Sequence, residues 1–227
     1  MAGKLIVLEG TDGSGKSTQL QLLCKRLEEE GKAFQKLVFP RYNEPSSLFV
    51  RMYLNGDFGT HPSDVNAYAA STFYAVDRYA SFQMDWKNAY ESGLLFLSDR
   101  YTTSNAIHQA AKLPKKERKV YLRWLFDFEY EKLALPRPDL VIFLDMPTEY
   151  SIQLLHDRER QTGVQGDIHE MDIDYLSSCR EAALEAVQYD GWNTISCVQN
   201  NRIREPEEIG EEIYHLIFAN ELEINNS

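Results

Sequence analysis

Along the chain, short apolar runs alternate with longer segments of helical period. Residues 4–8 (KLIVL) form a compact run that ends at a glycine-rich turn. Residues 17–30 carry Leu20, Leu23 and Leu27 at helical spacing, and Gly31 stands where a helix C-cap is expected. Residues 33–39 read as a second strand, stopped by Pro40. A long helix is predicted from Asp64 to about Glu91, with Ser63 or Asp64 as its N-cap and Gly93 as its stop. Residues 94–97 (LLFL) make a third strand that ends at Ser98-Asp99-Arg100. Residues 115–135 predict a helix broken by Pro136 and Pro138. Residues 140–144 (LVIFL) make a fourth strand with Asp145 at its end and Pro147 opening the next helix. Residues 194–198 are a weaker strand, and residues 205–220 a closing helix with Pro206 near its first turn.

The strand runs do not alternate apolar with polar. Unbroken Val, Leu, Ile and Phe imply strands buried on both faces, as in a parallel sheet covered by helices. The class is therefore α/β, with about five strands in the middle of three layers and one domain spanning 1–227. Ligands of such sheets bind beyond the carboxyl ends of the strands, so chemistry is expected in the turns after Leu8, Phe39, Leu97 and Leu144. Residues 158–170 form a polar, glycine-containing break between two helices, either an ordinary loop or a short lid over a substrate.

Composition narrows the partners. In 227 residues, 43% hydrophobic and 12% aromatic content suffices for a packed core. A formal net charge of -11 argues against nonspecific binding to nucleic acid or an anionic membrane. Any affinity for phosphate must then come from a few basic groups gathered in one place. Cys24, Cys179 and Cys197 are far apart and lack metal-ligand or redox-motif spacing, which predicts buried thiols in a reducing cytoplasm. Met1-Ala2-Gly3-Lys4 runs directly into the first strand, which reads as having no signal peptide. No stretch approaches the ~20 apolar residues that a membrane span needs.

The chemistry begins at Gly10-Thr11-Asp12-Gly13-Ser14-Gly15-Lys16-Ser17, followed by Thr18. It matches G-x-x-x-x-G-K-[ST] in full and lies between a predicted strand and a predicted helix, the context of a P-loop NTPase fold. Glycines let backbone N–H groups turn toward phosphate oxygens, and the helix N-terminus adds partial positive charge there. Lys16 can reach the β- and γ-phosphates, and the Ser17 hydroxyl suits Mg²⁺. This pattern predicts nucleoside triphosphate binding and leaves the acceptor open.

Five motifs then occur in order: LIVLEGTDGSGKSTQ, Phe39-Pro40-Arg41, FYAVDR, SDRYTTSNAIHQ and LPRPDLVIFLD. In this order they resemble the thymidylate kinases, from about Lys4 to Asp145 and more loosely through the lid region. The resemblance implies ATP-dependent phosphorylation of dTMP to dTDP with Mg²⁺, and a homodimer.

Individual residues fit that frame. Asp12 is either a solvated turn aspartate or a carboxylate facing the acceptor; the family pattern Glu-Gly-x-Asp, met here by Glu9 to Asp12, favours the second. Asp99 and Arg100 follow the third strand directly. The resemblance implies that Arg100 grips the acceptor phosphate, a task suited to a bidentate guanidinium, and that Asp99 lies near the metal. Tyr74 and Arg78 share a helix face, so a ring can stack on a base while a guanidinium meets its carbonyl edge. Ser104, Asn105 and His108 belong to the acceptor side, with Asn105 able to read a pyrimidine edge. Several family members carry tyrosine where His108 stands. Arg41 is a further acceptor-side candidate, for whose place Tyr42 competes. Many members have arginine inside the phosphate loop where this chain has Gly13, and others supply that charge from the lid, for which Arg158 and Arg160 are the candidates. Two rival functions stay open at this stage: a kinase for another deoxynucleotide or deoxynucleoside, and a P-loop module that senses NTP.

Overall fold

The computed structural model describes residues 2–162 and 173–225. In chain order the elements are β1 (Lys4–Gly10), α1 (Lys16–Glu29), β2 (Phe34–Val38), α2 (Leu48–Leu54), α3 (Ala67–Ser81), α4 (Lys87–Glu91), β3 (Leu95–Asp99), α5 (Thr102–His108), α6 (Lys115–Phe126), β4 (Leu140–Asp145), α7 (Thr148–Thr162), α8 (Ile173–Asp190), β5 (Asn193–Ser196), β6 (Val198–Gln199), β7 (Arg202–Ile203) and α9 (Pro206–Asn225).

Five parallel strands form one sheet in the order β2-β3-β1-β4-β5. The period-2 pleat explains the unbroken apolar runs. In β1, Leu5 and Val7 enter one core and Ile6 and Leu8 the other; in β4, Val141 and Phe143 part from Ile142 and Leu144 in the same way. One core lies against α5, α6 and α8, the other against α1 and α9. At roughly 1.5–3 kcal/mol for each fully buried large apolar side chain, these two cores dominate the favourable side of folding. Sequential strands depart on opposite sides of β1, so the carboxyl ends of β1 and β3 flank a crevice.

The predicted long helix is present but begins later. Asn66 is its N-cap, its side chain accepting from the Ala69 N–H at 2.9 Å, whereas Asp64 closes the preceding turn by accepting from the His61 N–H. α3 and α4 are joined through a π-helical turn, Phe82–Trp86, and a second such turn, Asp127–Lys132, extends α6. The final strand stops at Ser196, two residues short of the expected end, because Val198 turns into the separate β6–β7 hairpin. That hairpin and α2 lacked a signal in the apolar pattern. Helix α7 takes in the start of the 158–170 segment, and residues 163–170 lie outside the described residues.

Candidate active site

The turn between β1 and α1 is shaped for an anion. Gly13 and Gly15 have φ of 75° and 86°, the left-handed region that a side chain disfavours. Gly15 is also the N-cap of α1 and supplies no side-chain acceptor, so the first N–H groups of that helix are left for a ligand. Lys16 Nζ donates to the carbonyls of Gly10 and Thr11, each at 2.8 Å. Burial is the largest influence on this ammonium and, with Arg100 nearby, lowers its pKa to about 8 against the opposing pull of Asp12, Glu9 and Asp99. Beside it the exposed Ser17 hydroxyl donates to Asp99 Oδ2 at 3.1 Å.

Gly13 answers the question of the absent loop arginine. A Cβ there would stand 2.5 Å from the Ser151 carbonyl and 3.0 Å from Leu155 Cγ, both on α7. Backbone conformation and helix packing together exclude any side chain at this point. Gly13→Ala is expected to cost about 1–3 kcal/mol of stability, read by urea unfolding. An unchanged midpoint would mean that α7 is not packed on the loop. Of the two arginines on α7, Arg158 lines the phosphate-loop cleft. Arg160 does not; it is largely exposed and pairs with Asp157 at 3.3 Å.

Arg100 directly follows β3 in a left-handed conformation, φ 66°, which is costly for a residue with a Cβ. The local constraints are its own N–H to the Leu8 carbonyl at 3.4 Å and the Ser98 hydroxyl, which donates to the Arg100 carbonyl at 2.6 Å. The guanidinium thus reaches across the sheet edge, where it donates to Asp12 Oδ1 and, at 3.0 Å, to His108 Nε2. Burial opposes its charge, but Asp12, Glu9 and Asp99 outweigh burial and raise its pKa, so it stays cationic. Because arginine can only donate, His108 must carry its proton on Nδ1, which lies 3.6 Å from Cys179 Sγ. Glu9 is fully buried beneath this group and accepts from the Thr103 and Ser104 hydroxyls at 2.6 and 2.8 Å. Burial raises its pKa, while Arg100, Thr103, Lys16 and Ser104 oppose that rise.

Next to the phosphate-loop cleft lies a second cavity lined by Tyr74, Arg78, Arg100, Ser104, Asn105 and His108, among others. Five residues, Asp12, Phe39, Pro40, Tyr42 and Arg100, line both spaces. Tyr74 borders the cavity, whereas its neighbour Phe73 stacks on Phe49 with ring centroids 5.7 Å apart. Tyr74, four residues before Arg78 on α3, is thus the ring of this pair that reaches the cavity. Ser104 and His108 also line the cavity, but the Ser104 hydroxyl is already donated to Glu9.

Arg41 has to be corrected. It lines neither space, because its guanidinium turns to Asp77 (3.2 Å), Asp85 and the Ser46 hydroxyl (2.9 Å). Asp77 is only 1% exposed, and a carboxylate so buried needs a cation. Pro40 and Tyr42, on either side, face the cavity instead. The turn after Leu144 lines neither of these two spaces: Asp145 is tied to Arg180 at 2.8 and 3.1 Å.

Three polar residues in or beneath the site carry no role that the sequence alone assigns: Glu9, Gln109 and Glu129. Gln109 is buried, lines the cavity and has an Oε1 without a partner among the described residues. Glu129 lies seven residues after Leu122 on an apolar helical stripe. An acid at that position announces a buried partner without saying which. Among the described residues no group of three or more His, Cys, Asp or Glu is placed to hold a metal, and no helix is long and apolar enough to cross a membrane.

Comparison with known proteins agrees with this architecture. The thymidylate kinase family profile matches residues 8–209. The thymidylate kinase of Mycobacterium tuberculosis (strain ATCC 25618 / H37Rv) is 30% identical over 192 residues, covering 83% of this chain and 87% of the relative. A probable thymidylate kinase of Pyrococcus abyssi is 33% identical over 172 residues, 76% of each chain. A solved thymidylate kinase structure from Candida albicans shares the fold with a TM-score of 0.71 at 21% identity, covering 97% of this chain and 93% of that one.

Proposed function

This chain belongs to the thymidylate kinase family, and on that premise we propose that it transfers the γ-phosphoryl group of ATP to dTMP, forming dTDP. The observation that carries the reading is the shared wall: Asp12 and Arg100 border both the phosphate-loop cleft and the second cavity. Two nucleotides held there would meet phosphate to phosphate. The triphosphate is held by the N–H groups of residues 10–18 and by Lys16. Arg100 grips the acceptor phosphate, Tyr74 supports the base, and Arg78 and Asn105 meet its polar edge. An acceptor phosphate is already ionised near neutral pH, so no base has to remove a proton. Asp12 accordingly orients Arg100 rather than deprotonating the acceptor.

The adjacent oxygens of Ser17 and Asp99 suit Mg²⁺, a hard cation that also takes phosphate and water oxygens. Bound there, it would neutralise charge on the donor phosphates. Arg158 is the cation we assign to the transferring group, in place of the side chain excluded at Gly13. The chain acts as one domain in which residues 158–170 serve as the lid. The free thiols of Cys24, Cys179 and Cys197 suit a reducing cytoplasm.

The test is a panel of nucleoside monophosphates incubated with ATP and Mg²⁺, with products separated chromatographically. The expected product is dTDP; another diphosphate formed readily, with no dTDP above background, sinks the assignment. Dimerisation is supported by Val76, Tyr79 and Met84, apolar side chains 54%, 42% and 78% exposed along one helical run. Light scattering should return twice the 26.3 kDa chain mass, and a monomer at micromolar concentration would refute the dimer.

A further inference from the structure

Arg78, Asn105 and Glu129 come from three separate elements: α3, α5 and the π-helical turn Asp127–Lys132. Glu129 is fully buried and both of its oxygens are engaged. Oε1 accepts from Arg78 Nη2 at 2.6 Å and Asn105 Nδ2 at 3.1 Å. Oε2 accepts from Arg78 Nε at 2.6 Å and the Thr102 hydroxyl at 2.8 Å. The second N–H of the Asn105 amide goes to the Ser71 carbonyl at 3.2 Å.

These contacts settle which way two cavity-lining groups face. Both neighbours of Asn105 Nδ2 are obligate acceptors, so the amide cannot be turned over. Its Oδ1 has no partner among the described residues and is what Asn105 offers the cavity. Arg78 has Nε and Nη2 engaged, which leaves the N–H donors of Nη1 for the same cavity. Between them, Asn105 and Arg78 present a fixed acceptor, Oδ1, beside the fixed donors of Nη1.

We infer that Glu129 is a positioning residue that sets this hydrogen-bond polarity and thereby selects thymine over cytosine; the inference rests on the dTMP reading above. Thymine has a ring N–H beside a carbonyl, which complements Oδ1 and Nη1. Cytosine has a ring lone pair beside an amino group, which opposes acceptor to acceptor and donor to donor. In Glu129→Gln an NH₂ replaces one oxygen, so a donor faces the donors of Arg78 or Asn105. The Asn105 amide is then free to turn and offer its nitrogen to the ring. Glu129→Asp is shorter but remains acceptor-only. The first variant keeps volume and loses polarity; the second does the reverse.

Initial rates with ATP and Mg²⁺, varying dTMP and dCMP, test this on the wild type and both variants. Glu129→Gln is expected to lower the ratio of kcat/KM for dTMP to that for dCMP by at least about tenfold. The loss should lie in KM for dTMP, with KM for ATP unchanged. Glu129→Asp should keep the wild-type ratio even where both rates fall. A wild-type ratio in Glu129→Gln with a collapsed ratio in Glu129→Asp would mean that volume matters and polarity does not, overturning the inference. Equal loss toward both nucleotides in Glu129→Gln overturns it as well. If Glu129→Gln does not fold, Glu129→Asp decides: a retained ratio upholds the inference and a lost one refutes it. Absence of dTDP from the wild-type enzyme would remove the dTMP reading itself, an outcome seen before any variant is made.

Discussion

Arg100→Ala is expected to lower kcat/KM for dTMP by about a thousandfold while leaving the Kd for ATP nearly unchanged. The asymmetry follows from where the guanidinium is held. Its partners, Asp12 and His108, lie on the wall between the two cavities and in the second cavity, while the triphosphate rests on the loop and Lys16. Asp12 and His108 fix the guanidinium before any ligand arrives, so little ordering remains to oppose binding of the acceptor phosphate. Arg100→Lys should recover only a small part of the loss, because an ammonium cannot form the paired contacts of a guanidinium. Isothermal titration with ATP and steady-state rates with dTMP separate the effects. Equal damage to both would show that Arg100 belongs to the donor side.

Lys16→Ala should reduce kcat toward every acceptor by about 10²–10³-fold, since the lost cation faces the donor phosphates common to all transfers. A pH dependence accompanies this. The Lys16 pKa in the free protein, about 8, is below its ordinary value. The ammonium is therefore present below that pH and is lost as pH rises through it. ATP binds to the charged form, so its Kd should weaken by about tenfold between pH 7 and pH 9. The same titration on Lys16→Ala should lack this step. A wild-type Kd that stays flat over the range would place the ammonium outside the ATP contacts.

Much of this site was legible because it is local. The phosphate loop is contiguous, and a strand–turn–helix context can be read from neighbouring residues. Asp99 and Arg100 were placed by their position at a strand end, and Tyr74 by its distance from Arg78. Arg41 went wrong for the opposite reason. Position brought it to the right turn, but Asp77 and Asp85, 36 and 44 residues away, took its guanidinium. Glu129 went unread because a lone acid on an apolar stripe does not name its partner, which stands 51 residues earlier in the chain.

By itself the sequence determined the α/β class, the phosphate loop and the strand ends that carry the chemistry. Each depends on hydrophobic period or on residues adjacent in the chain, interactions that spacing alone encodes. Only the tertiary structure decided that Asp12 meets Arg100 across 88 residues, that α7 forbids a side chain at Gly13, and that Glu129 orients Arg78 and Asn105. Those outcomes depend on which buried charges and close-packed surfaces fall side by side once the helices cover the sheet, and a one-dimensional pattern does not carry that geometry.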